Sequence, residues 1–172
     1  MRKIILLGYM GCGKSTIANR VSKITNSPFV DLDKNIEERT NLSINEIFEQ
    51  RGEIYFRKLE REVLMDLLNT SGELIIGLGG GTPCYANNHE LLKSENIVSI
   101  YLKASVDTLF ERLGSNKSKR PLIANKTDDE LKEFIAQHLF ERSFYYNQAK
   151  YKLVIDGKSE DETAQDIVGL LA

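Results

Sequence analysis

Four apolar residues, Ile4-Ile5-Leu6-Leu7, run directly into Gly8-Tyr9-Met10-Gly11-Cys12-Gly13-Lys14-Ser15, which has the spacing G-x-x-x-x-G-K-S. The short unbroken run reads as a strand buried on both faces, and Ile17, Ala18, Val21 and Ile24 then recur at helical spacing from Ser15 onward. Strand, glycine-rich turn and helix in that order leave few choices. The turn must deliver the chain to a helix N-terminus with its backbone N–H groups converging on one point. Glycines let those groups approach an anion without an intervening Cβ, Lys14 adds a point charge, and Ser15 adds a hydroxyl suited to Mg²⁺. The stretch is a phosphate-binding loop.

The remaining chain alternates strand-like and helix-like segments, the pattern of an α/β domain with a mainly parallel sheet. Strands are predicted at Lys3-Leu7, Pro28-Leu32, Glu73-Leu78, Ile97-Leu102 and Tyr151-Ile155. Helix starts are signalled by S/T-x-x-E pairs, Ser43 with Glu46, Thr127 with Glu130 and Ser159 with Glu162, each matching a capping box. A length of 172 residues suits one domain, 1–172, without internal repeats or an evident linker. The net charge of −2 gives no basic footprint for nucleic acid or a membrane surface. Met1-Arg2-Lys3 before Ile4 looks like a secretory start, but Gly8, Gly11, Gly13 and Lys14 cut the apolar run too short. Cys12 and Cys84 lack metal-ligand spacing and disulfide density, so a reducing cytoplasm is expected.

Ligands of open α/β sheets bind beyond the carboxyl ends of the strands, and the informative residues lie there. The second strand ends Asp31-Leu32-Asp33; with the chain still extended, both carboxylates point to one side, one for Mg²⁺ and one to accept from a substrate hydroxyl. Asp33 has a second reading, as the cap of the helix through Ile36. The third strand ends in Gly79-Gly80-Gly81, which either lets a ligand approach the backbone or forms a loose turn.

Two helical patterns carry charge where apolar residues belong. Phe56, Leu59, Val63, Leu64 and Leu67 of the Glu53-Asn69 helix form an arc that contains Glu60, with Arg57 at its edge. In the Thr127-Ala149 helix, Leu131, Ile135, His138, Leu139, Tyr145 and Tyr146 form an arc with Arg142 near its middle. An inward arginine must meet an anion. Glu60 can serve Arg57 as a salt-bridge partner, whereas Arg142 has none at helical spacing and favours an anionic ligand. His138 reads as satisfied core. The basic stretch Gly114-Ser115-Asn116-Lys117-Ser118-Lys119-Arg120-Pro121 is a candidate lid over the phosphates, or a solvated charge run.

Asn125-Lys126-Thr127-Asp128 matches N-K-x-D, the guanine-reading motif of GTP-binding switches, but it follows the lid rather than a strand and Thr127 starts a helix. No D-x-x-G lies between it and the loop.

Taken together, the phosphate loop, Asp31-Leu32-Asp33, Gly52-Glu53-Ile54-Tyr55-Phe56-Arg57-Lys58-Leu59-Glu60, Gly79-Gly80-Gly81, Arg120-Pro121-Leu122 and Glu141-Arg142 resemble the shikimate kinase family in order along nearly the whole chain. The resemblance implies a three-layer α/β P-loop kinase fold of the nucleoside monophosphate kinase type. Its sheet would hold five parallel strands in the order 2-3-1-4-5, with a substrate-binding segment near 32–61 and a lid near 113–126. It implies transfer of the ATP γ-phosphoryl group to the 3-hydroxyl of shikimate in aromatic amino acid biosynthesis. Gly11, Cys12, Gly13, Lys14, Ser15 and Thr16 would hold ATP, with Arg112 against adenine, the Gly157-Lys158 turn near the base, and Arg120 on the phosphates. Ser15 would bind Mg²⁺ directly and Asp31 through water. Asp33, Arg57, Gly79, Gly80, Gly81 and Arg142 would hold shikimate, the two arginines taking its carboxylate. Lys14, Asp33 and Arg120 would act in catalysis. A monomer is expected. The rivals are a gluconate or nucleoside monophosphate kinase of the same fold and a non-enzymatic nucleotide switch.

Overall fold

The computed structural model describes residues 2–172. Strand β1 (Lys3–Leu7) is buried along its whole length and enters the phosphate loop, and helix α1 (Lys14–Thr25) leaves it. Strand β2 (Phe29–Asp31) is followed by α2 (Leu32–Thr40), α3 (Ile44–Arg51) and α4 (Glu53–Asn69). Strand β3 (Leu74–Gly77) precedes the glycine turn, a 3-10 turn at Thr82–Cys84 and the short α5 (Asn88–Leu91). Strand β4 (Ile97–Lys103), α6 (Val106–Gly114), α7 (Asp128–Tyr146), β5 (Tyr151–Val154) and α8 (Glu160–Leu171) complete the domain.

All strand pairs are parallel and the order is β2-β3-β1-β4-β5, as predicted. The predicted strands are right to within a residue or two at their ends. Right-handed crossovers send the leftward connection, α1, over one face and the rightward ones over the other. α8 returns to pack on α1, giving helix, sheet and helix layers. Ile4, Ile5, Ile75, Ile76 and Ile100 fill the middle, each fully buried. Gly77 has a packing role: a Cβ there would stand 3.2 Å from the Phe29 ring on the neighbouring strand.

Each predicted capping box is present with both of its hydrogen bonds, at Ser43/Glu46, Thr127/Glu130 and Ser159/Glu162. Thr127, the third residue of the N-K-x-D match, is thus a helix cap. One local expectation is corrected. The chain does not stay extended through Asp33, because Asp31 itself caps α2 by accepting from the Lys34 N–H at 3.1 Å. The strand ends at Asp31, Leu32 turns into the core, and Asp33 lies in the first helical turn rather than at the cap.

Candidate active site

A cleft of about 710 Å³ opens at the carboxyl ends of β1, β2 and β3, where the strand order reverses. It brings together Gly11, Gly13, Lys14, Ser15, Thr16, Asp31, Asp33, Gly79, Gly80, Arg112 and Arg120.

On the phosphate side, Gly13 is the N-cap of α1 with φ 88°, and Gly11 has φ 83°, left-handed conformations that turn the loop amides inward. The Lys14 ammonium donates to the carbonyls of Gly8 at 2.7 Å and Tyr9 at 3.3 Å, which folds it across the loop it serves. Cys12 is fully buried beneath it. The Ser15 hydroxyl donates to Asp31 Oδ2 at 2.9 Å, bringing the two expected metal-binding oxygens together. The Arg112 guanidinium donates to the Cys12 carbonyl at 3.0 Å, so it braces the loop from the lid side.

The segment expected as a lid, residues 113–126, is anchored by the buried Leu113 and Ile123. Between them most of the chain is exposed, with a 3-10 turn at Lys117–Lys119. Arg120 follows that turn, exposed and at the rim of the cleft.

The acceptor side is built around the glycine turn, and each glycine faces a different polar side chain. A Cβ on Gly79 would lie 3.0 Å from Asp33 Oδ1, one on Gly80 3.0 Å from Arg142 Nη1, and one on Gly81 2.9 Å from Arg57 Nη2. None of the three is in the left-handed region, so close approach rather than backbone conformation demands glycine. The turn is therefore not loose.

Arg57 and Glu60 meet as expected, with Nη1 3.0 Å from Oε1 and the carboxylate only 1% exposed. Glu60 also accepts from the Thr82 hydroxyl at 2.8 Å, which ties α4 to the glycine turn. Arg142 has no carboxylate within salt-bridge distance among the described residues. It lies over the Tyr9 ring at 5.6 Å and beside Tyr146, whose hydroxyl donates to the Gly80 carbonyl at 2.5 Å. His138 is satisfied by the Tyr9 hydroxyl at 2.9 Å, and burial followed by the Arg142 charge holds it below the ordinary imidazole range.

Asp33 sits between the halves. Burial, then the carboxylates of Glu60 and Asp31, push its pKa up to about 6, against the pull of Lys14. A carboxyl so placed is still ionised at neutral pH, yet basic enough to take a proton. Tyr9 in the phosphate loop and Tyr146 in the apolar arc of α7 also shape the site, as do Thr82 and Tyr85, which no motif announces. Thr82 directly follows the glycine run and Tyr85 comes three residues later, and that proximity is their only signal.

One half of the cleft converges loop glycines and Lys14, the chemistry that suits a phosphate; at the other, Asp33 lines the cleft and Arg142 and Arg57 abut the glycine turn. Facing halves of this kind join a phosphate donor to an anionic acceptor, which is the work of a P-loop small-molecule kinase. The family model described as shikimate kinase matches residues 10–172. A shikimate kinase of Flavobacterium johnsoniae is 67% identical over 172 residues, covering 100% of both chains. The crystal structure of shikimate kinase from Bacteroides thetaiotaomicron superposes with a TM-score of 0.90 at 37% identity, covering 99% of this chain and 98% of that one. The Acinetobacter baumannii shikimate kinase in complex with shikimate gives 0.86 at 30% identity, covering 99% and 93%. The chain belongs to the shikimate kinase family and is an ATP-dependent phosphotransferase acting on shikimate.

Proposed function

We propose that the two halves of the cleft divide the reaction as follows. Gly11 to Thr16 hold the ATP phosphates, with Lys14 on the β- and γ-phosphates, while Arg57 and Arg142 hold the shikimate carboxylate and the Gly79–Gly81 turn supports the ring. Asp33 orients the 3-hydroxyl toward the γ-phosphoryl group and accepts its proton. The lid, residues 113–126, brings Arg120 onto the transferring group, and segment 32–61 is the acceptor-binding unit. The Arg112 guanidinium lies beside the nucleotide and braces the loop, and the Gly157-Lys158 turn borders the base. The observation that carries this reading is the glycine turn, whose three residues each make room for one of Asp33, Arg142 and Arg57.

Ser15 and Asp31 suit Mg²⁺: a hydroxyl and a carboxylate 2.9 Å apart are hard oxygen donors, and Mg²⁺ takes its remaining ligands from water and phosphate. When bound, the ion supplies charge neutralisation at the β- and γ-phosphates. The protein's own part is alignment and charge, because phosphoryl transfer through a loose transition state needs no covalent nucleophile from the enzyme. One chain supplies every residue named, which supports a monomer as the working unit. The two free cysteines support a reducing cytoplasm, and no helix among the described residues is long and apolar enough to cross a membrane.

The test is a coupled ADP-release assay with a panel of acceptors. Shikimate is expected to support turnover, with gluconate and nucleoside monophosphates inert; equal turnover on gluconate would overturn the acceptor assignment. Shikimate is also expected to raise the melting temperature of the protein.

A further inference from the structure

The Arg57 guanidinium is held in its plane and on its face by different chemistry. In the plane, Nη1 meets Glu60 at 3.0 Å and Nε lies 3.6 Å from Glu53 Oε1. On the face, the guanidinium carbon stands 3.9 Å from the centroid of the Tyr85 ring, much closer than the 5.1 Å to Phe56 or 5.9 Å to Phe48. Nη2 is left turned toward Gly81.

Tyr85 is not a loosely draped loop residue. It belongs to a strap, residues 80–89, strung between the two arginine-bearing helices. On the α4 side, Thr82 donates to Glu60, and Arg61 donates to Asn88 at 2.9 Å while Asn88 donates back to the Thr82 carbonyl at 2.9 Å. On the α7 side, Tyr146 donates to Gly80 and the His89 ring stacks edgewise on Tyr145 at 5.2 Å. Immediately after Tyr85 the chain reverses through Ala86 and Asn87, with φ of 49° and 54°. Two successive left-handed residues, one of them alanine, are uncommon and cost free energy, so the surrounding contacts hold this path in place. That path delivers the ring to the arginine.

We propose that Tyr85 is a positioning residue for Arg57 and, through it, a determinant of affinity for the acceptor carboxylate. The inference rests on Arg57 receiving that carboxylate. A neutral ring holds a guanidinium by its quadrupole without neutralising it, so it adds nothing to the charge that Glu60 and Glu53 already offset. A carboxylate in the same place would hold the side chain equally still but would compete for the charge. Fixing a long flexible side chain before binding also removes ordering cost from the binding step.

Steady-state kinetics on the full chain test this. Tyr85→Ala is expected to raise KM for shikimate about three- to thirtyfold, the span of a cation–π contact, while kcat and KM for ATP stay within about twofold. Tyr85→Phe keeps the ring and should restore KM; Tyr85→Leu keeps bulk without the quadrupole and should behave like alanine. In an Arg57→Ala background, Tyr85→Ala should add nothing further. If Arg57→Ala raises KM but neither Tyr85→Ala nor Tyr85→Leu does, the positioning role is overturned while the carboxylate reading stands. If Arg57→Ala leaves KM unchanged, the carboxylate reading falls and this inference with it. Should the alanine variant fail to fold, the leucine variant against Tyr85→Phe carries the same comparison, and equal KM values in the two would overturn the proposal.

Discussion

Gly80 and Arg142 are separated by 62 positions, yet a single methyl group on Gly80 would stand 3.0 Å from Arg142 Nη1. The neighbour at risk is the end of a flexible side chain, so an added methyl displaces the guanidinium rather than the backbone. Gly80→Ala should therefore fold normally and raise KM for shikimate about 10- to 100-fold, the worth of one displaced charge-assisted hydrogen bond. Kinetics paired with a melting curve check it; a large loss of stability with unchanged KM would show that Gly80 serves packing instead.

Arg142 has no carboxylate partner among the described residues, so its removal leaves no buried countercharge unpaired there. Arg142→Ala should raise KM for shikimate at least as much as Gly80→Ala, with KM for ATP within about threefold. Arg142→Lys should recover only part of the loss, since an ammonium cannot offer the planar fork. Unchanged shikimate affinity in the alanine variant would sink the assignment.

Arg120 is exposed at the cleft rim and its removal should leave stability untouched. Turnover should fall by about 100-fold or more if it stabilises charge on the transferring phosphoryl group, by analogy with arginine fingers. Near-normal kcat in Arg120→Ala would return this residue to the surface.

Asp33 makes opposite demands on activity and stability. Its pKa is raised from 3.8 to about 6, so between those values the native state holds a proton that the unfolded chain has released. Stability from this group is therefore greatest at low pH and falls as pH rises through that window. Asp33→Asn should be inactive yet more stable than the parent at pH 7.5, by roughly 1–3 kcal/mol, with the gap closing toward pH 4. Denaturant titrations across pH measure this. Activity should run the other way, kcat/KM falling about tenfold per pH unit below about 6 as the Asp33 carboxylate is protonated.

Much of the site was legible residue by residue. Lys14, Ser15, Arg57 and Arg142 stand out because each breaks or completes a periodic pattern within a few positions, and helical spacing alone paired Arg57 with Glu60. Asp31 and Asp33 were legible as a pair but not in their local conformation. Whether the strand continued to Asp33 depended on Asp31 capping α2, a choice between two nearly equivalent local hydrogen-bonding patterns. Gly79, Gly80 and Gly81 were legible as room for a ligand or as a loose turn, but not as room for three side chains, since those lie on α2, α4 and α7 rather than in their own neighbourhood. Tyr85 carried no signal beyond its place a few residues after the glycine run.

By itself, then, the sequence determined the strand, loop and helix around Gly8–Ser15, the capped helix starts and the inward charges, because these depend on hydrogen bonds and periodicities spanning a few residues. Tertiary structure alone decided that Asp33, Arg142 and Arg57 meet one glycine turn and that Tyr85 lies on Arg57. Those relationships exist only once β3 is laid beside β1 and the helices cross over the sheet, which brings segments distant in the chain within contact of a single cleft.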